Sequence, residues 1–156
     1  MTTKADFTES EWETLRRAPM VAGMAISLAD PGGPIEVMKE TSAVMRLVSE
    51  ELGDTGLVGD VARDLAESVQ RRENPIGGFK PAAAKEITDE LARVNELVTA
   101  KATPVEAVQF RTWLLDSARR AAEAAKEGGF MGFKAVRVSE GEQRMLGEIA
   151  AALGAT

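Results

Sequence analysis

The uncharged run from Ala18 to Ala29 constrains the fold more than any other part of the chain. A helix that is apolar on every side is normally buried at the centre of its domain. The run is well short of the ~20 residues that a membrane-spanning helix needs. Asp30-Pro31-Gly32-Gly33-Pro34 ends it with several breakers in succession, and Pro19 either kinks one helix or opens a second. The sequence therefore predicts a central core helix and no membrane span.

Three capping signals mark the beginnings of further helices. In each, a hydroxyl residue is followed three positions later by glutamate, so that the two side chains satisfy free backbone N–H groups of the first turn. The signals are Thr8 with Glu11, Thr103 with Glu106, and Ser139 with Glu142. We expect a helix to follow each of them, the second over about 104–127 and the third ending at Gly154.

Apolar residues three and four positions apart predict the buried faces of the helices. The predicted faces are Ile35, Met38, Met45, Val48 and Leu52 in a helix over 34–52; Val58, Val61, Leu65 and Val69 in the next; Ile87, Leu91, Val94 and Val98 in a helix ending near 101; and Val108, Leu115, Ala118 and Ala122, with Phe110 and Leu114 beside them, in the helix over 104–127. The alanines near the end of that last helix favour the close approach of another helix.

These elements predict an all-α fold. With 156 residues and 44% hydrophobic content, the chain is long enough to bury a core without a disulfide or a structural metal. We expect one helical domain over residues 1–156. Its predicted architecture is a compact orthogonal or bundle-like array of six to seven helices around the central apolar helix.

The composition removes several classes of function. Cysteine, histidine and tyrosine do not occur, which excludes thiol nucleophiles, thiolate metal sites and the usual general base near neutral pH. We therefore expect no enzyme, although a hydrolase that uses paired carboxylates stays open as an alternative. The net charge of −6 disfavours nucleic acid and anionic membranes as partners. The charged amino terminus is unlike a signal peptide and predicts a cytoplasmic protein.

The segment Gly128–Phe133 is the first candidate site, because it places two phenylalanines and a methionine in a glycine-rich loop. Loops are usually polar, and an apolar, flexible one is typical of a surface that receives a partner. We predict that Phe130, Met131 and Phe133 bind a protein partner or a second copy of the chain. The structural alternative is that Phe130 and Phe133 fold back and fill the open end of the bundle.

The turn from Asp30 to Glu36 is the second candidate site. It places a carboxylate on each side of a tight loop, and oxygen-rich turns can hold Ca²⁺ or Mg²⁺. The apolar helix before it, the Asp and Gly residues and the glutamate that opens the next helix resemble the tellurite-resistance TerB-like helical domains. The resemblance implies that Asp30 and Glu36 bind a divalent cation. The structural alternative is an Asp-Pro turn followed by a glutamate that stabilises a helix N-terminus.

A second resemblance covers the whole chain. Residues 127–138, the following Ser139-Glu140 and the Ala-Ala-Ala-Leu-Gly ending resemble a group of small, uncharacterised bacterial helical proteins. This resemblance implies no activity.

The sequence as a whole favours a non-catalytic helical accessory protein that binds a protein partner, or itself, near the Gly/Phe-rich loop. The alternative is a helical domain that binds a divalent ion or a small ligand, with no other cofactor. For an apolar ligand, the candidate lining is Met20, Met24, Met38 and Met45, which would otherwise be plain core.

Overall fold

The computed structural model describes residues 1–30, 32–126 and 138–154. Within these ranges the chain forms six α-helices and no strand, so the predicted all-α fold is confirmed. The helices are α1 (Glu9–Ala29), α2 (Pro34–Glu50), α3 (Leu57–Gln70), α4 (Ala84–Lys101), α5 (Pro104–Lys126) and α6 (Glu140–Ala152), preceded by a short 3-10 turn at Lys4–Asp6. None of these helices is both long enough and apolar enough to cross a membrane.

Helix α1 lies at the centre of the array, as predicted, and it contacts each of the other five helices. Its capping box forms as expected, with the Thr8 hydroxyl accepting from the Glu11 N–H and the Glu11 carboxylate accepting from the Thr8 N–H. The helix continues through the buried Pro19, so this proline does not open a second helix. Leu15, Val21 and Ile26 have no exposed surface.

Helix α5 shares the central position, since it also contacts all the other helices. Gly23 of α1 lies where α2 and α5 come together. A Cβ atom added there would meet Val44 Cγ2 at 2.8 Å and the Ala121 methyl at 3.8 Å. The predicted close packing of the alanine-rich part of α5 is therefore present, with Ala118, Ala121 and Ala122 fully buried.

Three of the predicted buried faces are wrong in part: those of α2 and α5, and that of α3, whose Val69 is exposed. In α2 the buried residues are Glu40, Ala43, Val44, Leu47 and Val48, whereas Ile35 and Met38 are exposed. At 100° per residue, the buried face is centred on the opposite side of the helix from Ile35. The reason is that α2 carries apolar side chains on both sides, so that periodicity alone does not select the core side. Val108 of α5 is likewise exposed, and Ala107 is buried instead, whereas Phe110 and Leu114 are buried as predicted.

Candidate functional site

Four large apolar side chains are exposed where α1 ends and α2 begins. They are Leu28 of α1 and Ile35, Val37 and Met38 of α2. We call Ile35 and Met38 the α2 apolar face, since Val37 lies on the opposite side of the helix from Ile35. Ile35 and Met38 are three positions apart, which places them next to each other on one side of the helix. Their exposed fractions are 69% and 62%. No other part of the chain that the structure describes covers these two side chains.

The turn before α2 directs the chain into this arrangement. Gly33 is the N-cap of α2 and Pro34 occupies the first turn, where the missing N–H of proline has no cost. The Glu36 side chain lies back over the turn, so close to Gly32 that a Cβ atom added at position 32 would be 1.3 Å from Glu36 Oε2. A residue other than glycine at position 32 would therefore displace the Glu36 carboxylate.

A cavity of about 260 Å³ lies next to the α2 apolar face, between α1, α2 and the loop that joins α3 to α4. Its walls are mostly apolar, and its polar groups are few. The lining residues are Met20, Gly23, Met24 and Ser27 from α1, Val37, Glu40, Thr41 and Val44 from α2, and Asn74, Pro75 and Ile76 from the loop. We call this space the α1–α2 cavity.

Glu40 is the one charged residue among those lining residues, and only 3% of it is exposed. The Ser27 hydroxyl donates a hydrogen bond to Glu40 Oε2 from the facing helix. This contact explains how α2 brings a carboxylate into its buried face, since a buried charge is costly unless it is hydrogen-bonded. The periodicity of α2 alone did not predict the burial of Glu40, because a glutamate in an amphipathic helix is expected on the surface.

The predicted methionine lining is partly correct. Met20 and Met24 line the α1–α2 cavity, one turn apart on α1. Met38 belongs to the exposed α2 apolar face, and Met45 packs half-buried against the core outside the cavity lining. The structure thus separates the four methionines into a cavity pair, a surface residue and a core residue.

Asp30 and Glu36, the predicted cation ligands, lie on either side of the turn. Asp30 is the C-cap of α1, and its backbone N–H donates to the Ile26 carbonyl at 3.2 Å. Glu36 lies in the first turn of α2, where the helix dipole favours a negative charge. Across residues 1–30, 32–126 and 138–154, no three carboxylates come together in a way that would hold a metal ion. Cation binding by this pair stays a prediction.

Phe130, Met131 and Phe133, the predicted partner-binding residues, lie outside the described residues. The helices on either side of them are described. Ala124 of α5 lines a surface pocket together with Ala43 of α2. Gly141 of α6 lies beside the last turn of α1, where a Cβ atom added to it would be 3.1 Å from the Ala29 carbonyl oxygen. The last turns of α5, before residue 127, therefore lie beside α2. The start of α6, after residue 137, lies beside the C-terminal end of α1.

A second cavity, of about 270 Å³, lies between α2, α3 and α5. Its carboxylates include Asp54, which accepts hydrogen bonds from the N–H groups of Gly56 and Gly59 and so holds the start of α3. Its floor includes Trp113, whose buried indole N–H has no hydrogen-bond partner among the described residues. That nitrogen has almost no accessible surface, so it does not open into the cavity.

No family model, curated protein or solved structure matches this chain.

Proposed function

We propose that the chain is a non-catalytic helical accessory protein that binds a protein partner through the α2 apolar face. The observation that carries the proposal is the exposure of Ile35 and Met38 side by side on α2, with Leu28 and Val37 also exposed where α1 ends and α2 begins. A group of exposed large apolar side chains is typical of a protein interaction site, whereas single ones are normal on any surface.

The energetics of Ile35 and Met38 support this proposal. Fully burying a side chain of this size is favourable by ~1.5–3 kcal/mol. Two adjacent residues can thus supply several kcal/mol to an interface, which is the range of an interface hot spot. Val105 and Val108 of α5 have the same spacing and are 68% and 58% exposed, so this pair of smaller side chains is the comparison surface.

The chemistry of the partner follows from shape and charge. Ile35 and Met38 form a short apolar stripe, which suits an amphipathic helix that packs its own apolar side against α2. The chain has a net charge of −6, which attracts a basic partner and repels a second copy of itself. We therefore propose a partner that offers an amphipathic helix with basic residues beside its apolar stripe.

The non-catalytic part of the proposal rests on the available side chains. Histidine, cysteine and tyrosine do not occur in the sequence. Against the effect of burial, the hydrogen bonds from Thr2 and Thr103 lower the pKa of Glu106, which caps a helix, to about 2. This pKa has a structural cause, so it does not indicate a catalytic group.

Site-specific photo-crosslinking tests the proposal. A benzophenone amino acid is placed at position 35 or at position 105 in cells that produce the protein naturally. We expect a discrete crosslinked protein from position 35 and none of the same mass from position 105. The two sites are almost equally exposed, so a difference between them reflects the partner's binding surface and not the accessibility of the probe. Identical products at both positions would overturn the proposal.

The protein identified in this way is then purified, and its affinity is measured with matched double variants. I35E together with M38E should weaken binding by at least tenfold, since two charges enter the apolar contact. V105E together with V108E should leave the affinity within about twofold, as expected for exposed residues outside the interface. Equal effects of the two double variants would contradict the proposed surface.

Sedimentation velocity separates a foreign partner from a second copy. The proposal expects a monomer for the wild-type chain and for the I35E/M38E variant. A wild-type dimer that becomes a monomer in this variant would show that the α2 apolar face binds another copy, and would overturn the proposed basic partner.

A further inference from the structure

We infer that the α1–α2 cavity binds a small, uncharged and mostly apolar molecule, of the size of one aromatic ring with a short substituent. The ligand gains its affinity from the apolar walls and not from a charged contact. This inference concerns the interior of the cavity. It does not depend on a protein partner binding to the α2 apolar face.

The apolar walls of the cavity come from three elements. Met20 and Met24 of α1 provide flexible, polarisable side chains that adapt to the shape of a ligand. Val44 lines the cavity from α2, and Ile76 lines it from the loop between α3 and α4. The two helices touch at Gly23, where an added Cβ atom would be 2.8 Å from Val44 Cγ2, and this contact limits the depth of the cavity. An apolar body that enters therefore meets apolar side chains from α1, from α2 and from the loop.

The wall formed by the loop is held in place by its own hydrogen bonds. The side-chain oxygen of Asn74 accepts from the Ile76 N–H at 3.1 Å, and its side-chain nitrogen donates to the Gly77 carbonyl at 3.1 Å. Pro75, which also lines the cavity, has a restricted φ angle. These contacts position Ile76 before a ligand arrives, and a preformed site loses little conformational entropy on binding.

The polar groups that line the cavity are already engaged. Glu40, the one charged residue of the lining, accepts from the Ser27 hydroxyl and also has a further partner. Both ends of the Asn74 amide are used within its turn, and Thr41 is exposed, so that water reaches its hydroxyl. A charged ligand would lose its hydration without gaining a free group of opposite charge, which is costly. An uncharged, apolar ligand loses little hydration and is therefore favoured.

The volume of the cavity sets the size of the ligand. An apolar cavity of ~150 Å³ takes up benzene. The α1–α2 cavity has about 260 Å³, so it has room for such a ring with a short substituent. Apolar walls hold water poorly, and an apolar ligand that replaces such water gains affinity.

Three probes that share one aromatic ring and differ in charge test the inference. The full-length protein, with isotope-labelled methionine methyl groups, is titrated at neutral pH with benzyl alcohol, benzylammonium chloride and sodium benzoate, using NMR and isothermal calorimetry. We expect benzyl alcohol to bind at least tenfold more tightly than either ion. The methyl groups of Met20 and Met24 should shift and saturate, whereas Met145, which is buried on α6, should not shift. Equal or tighter binding of an ion, or the absence of saturable shifts at Met20 and Met24, would overturn the inference.

A matched pair of tryptophan variants on α1 locates the bound ring. M24W should fill the cavity and weaken benzyl alcohol binding at least tenfold, since the larger side chain takes the space of the ligand. L28W is the control, because Leu28 lies about one turn further along α1, is 39% exposed and does not line the cavity. Its affinity for benzyl alcohol should stay within about twofold of that of the wild type. Unchanged benzyl alcohol binding by folded M24W protein would overturn the inference.

A variant on the facing helix keeps the test decisive if M24W does not fold. Val37 lines the cavity from α2 and is exposed, so V37W should leave the fold intact and block the cavity. Retained benzyl alcohol binding by folded V37W protein would then refute the cavity site. The I35E/M38E variant should bind benzyl alcohol as the wild type does, and loss of partner binding in that variant with normal benzyl alcohol binding would separate the two sites.

Discussion

The two ends of α1 are built in opposite ways. At its N-terminal end, polar groups of the first residues of the chain are tied to α3 and α5 by hydrogen bonds, through Thr2 with Glu106 and Lys4 with Asp64. At its C-terminal end, the α2 apolar face is exposed beside the α1–α2 cavity. The difference teaches that stabilising contacts and candidate binding surface are separated along one central helix.

Glu106 is the centre of the N-terminal end. Its carboxylate accepts from the Thr2 N–H at 3.2 Å, from the Thr2 hydroxyl at 2.6 Å and from the Thr103 hydroxyl at 2.9 Å. Burial raises the pKa of Glu106, but the hydrogen bonds from Thr2 and Thr103 outweigh it and lower the pKa to about 2. The same glutamate completes the predicted capping box of α5. One side chain therefore links Thr2, near the N-terminus of the chain, to the first turn of α5.

The largest effect is expected from breaking this centre. Glu106→Ala removes the carboxylate that accepts hydrogen bonds from the buried Thr2, and it also removes the capping interaction at the start of α5. Leaving buried donors unsatisfied and losing a cap should lower the free energy of unfolding by about 3 kcal/mol. Urea unfolding measures this loss of unfolding free energy. Ile35→Ala, near the C-terminal end of α1, is the comparison, and we expect it to change the free energy of unfolding by less than about 0.5 kcal/mol. Similar losses in the two variants would contradict the separation.

Acid should weaken the N-terminal end in particular. Because the pKa of Glu106 is about 2 in the folded chain and 4.5 in its ordinary state, the carboxylate stabilises the fold above pH 4.5. That stabilisation is lost as the pH falls from about 4.5 towards 2. The pKa of Asp64 is also lowered, since hydrogen bonds from Trp12 and Lys4 outweigh the effect of burial. Glu106→Gln should therefore reduce, but not abolish, the loss of unfolding free energy measured across this range; an unchanged loss would contradict the assignment.

The two tryptophans offer a smaller and more controlled test. The Trp12 indole N–H donates to the Asp64 carboxylate, whereas the buried Trp113 N–H has no acceptor among the described residues. Replacing either by phenylalanine removes similar volume, so the difference between the two variants combines the hydrogen bond lost at Trp12 with the unpaired N–H removed at Trp113. We expect Trp12→Phe to be more destabilising than Trp113→Phe by about 1.5 kcal/mol in thermal and urea unfolding. Equal destabilisation would show that the Trp12 contact with Asp64 contributes nothing.

The smallest effect on stability is expected at the α2 apolar face. Ile35 and Met38 are exposed, so I35E together with M38E should change the free energy of unfolding by no more than about 0.5 kcal/mol. V105E together with V108E on α5 should behave in the same way. A loss of more than about 1.5 kcal/mol in the α2 variant alone would show that this face supports the fold.

Local signals in the sequence predicted most of the fold. Thr8, Thr103 and Ser139 begin helices where predicted, because a capping box acts within one turn. The core helix was predictable because a helix without charged residues exposes apolar surface on every side, and burial in the interior removes that surface from water. The buried side of α2 was not predictable, since Val44 and Leu47 on one side compete with Ile35 and Met38 on the other.

The candidate site was less accessible to sequence reasoning. Met20 and Met24 were predicted as ligand-lining residues, but Glu40 was not, because its partner Ser27 lies on another helix and the contact exists only after folding. The role of Ile76 depends in the same way on the path of the α3–α4 loop. Cation binding by Asp30 and Glu36 and partner binding by Phe130, Met131 and Phe133 stay predictions.

The most direct test of the separation between fold and binding surface uses one protein, the I35E/M38E double variant, for two measurements. Its free energy of unfolding and its affinity for the partner crosslinked at position 35 are compared with those of the wild type. The separation predicts unfolding within about 0.5 kcal/mol of the wild type and affinity at least tenfold weaker. Unchanged affinity together with a large loss of stability would contradict it, because the α2 apolar face would then serve the fold and not a partner.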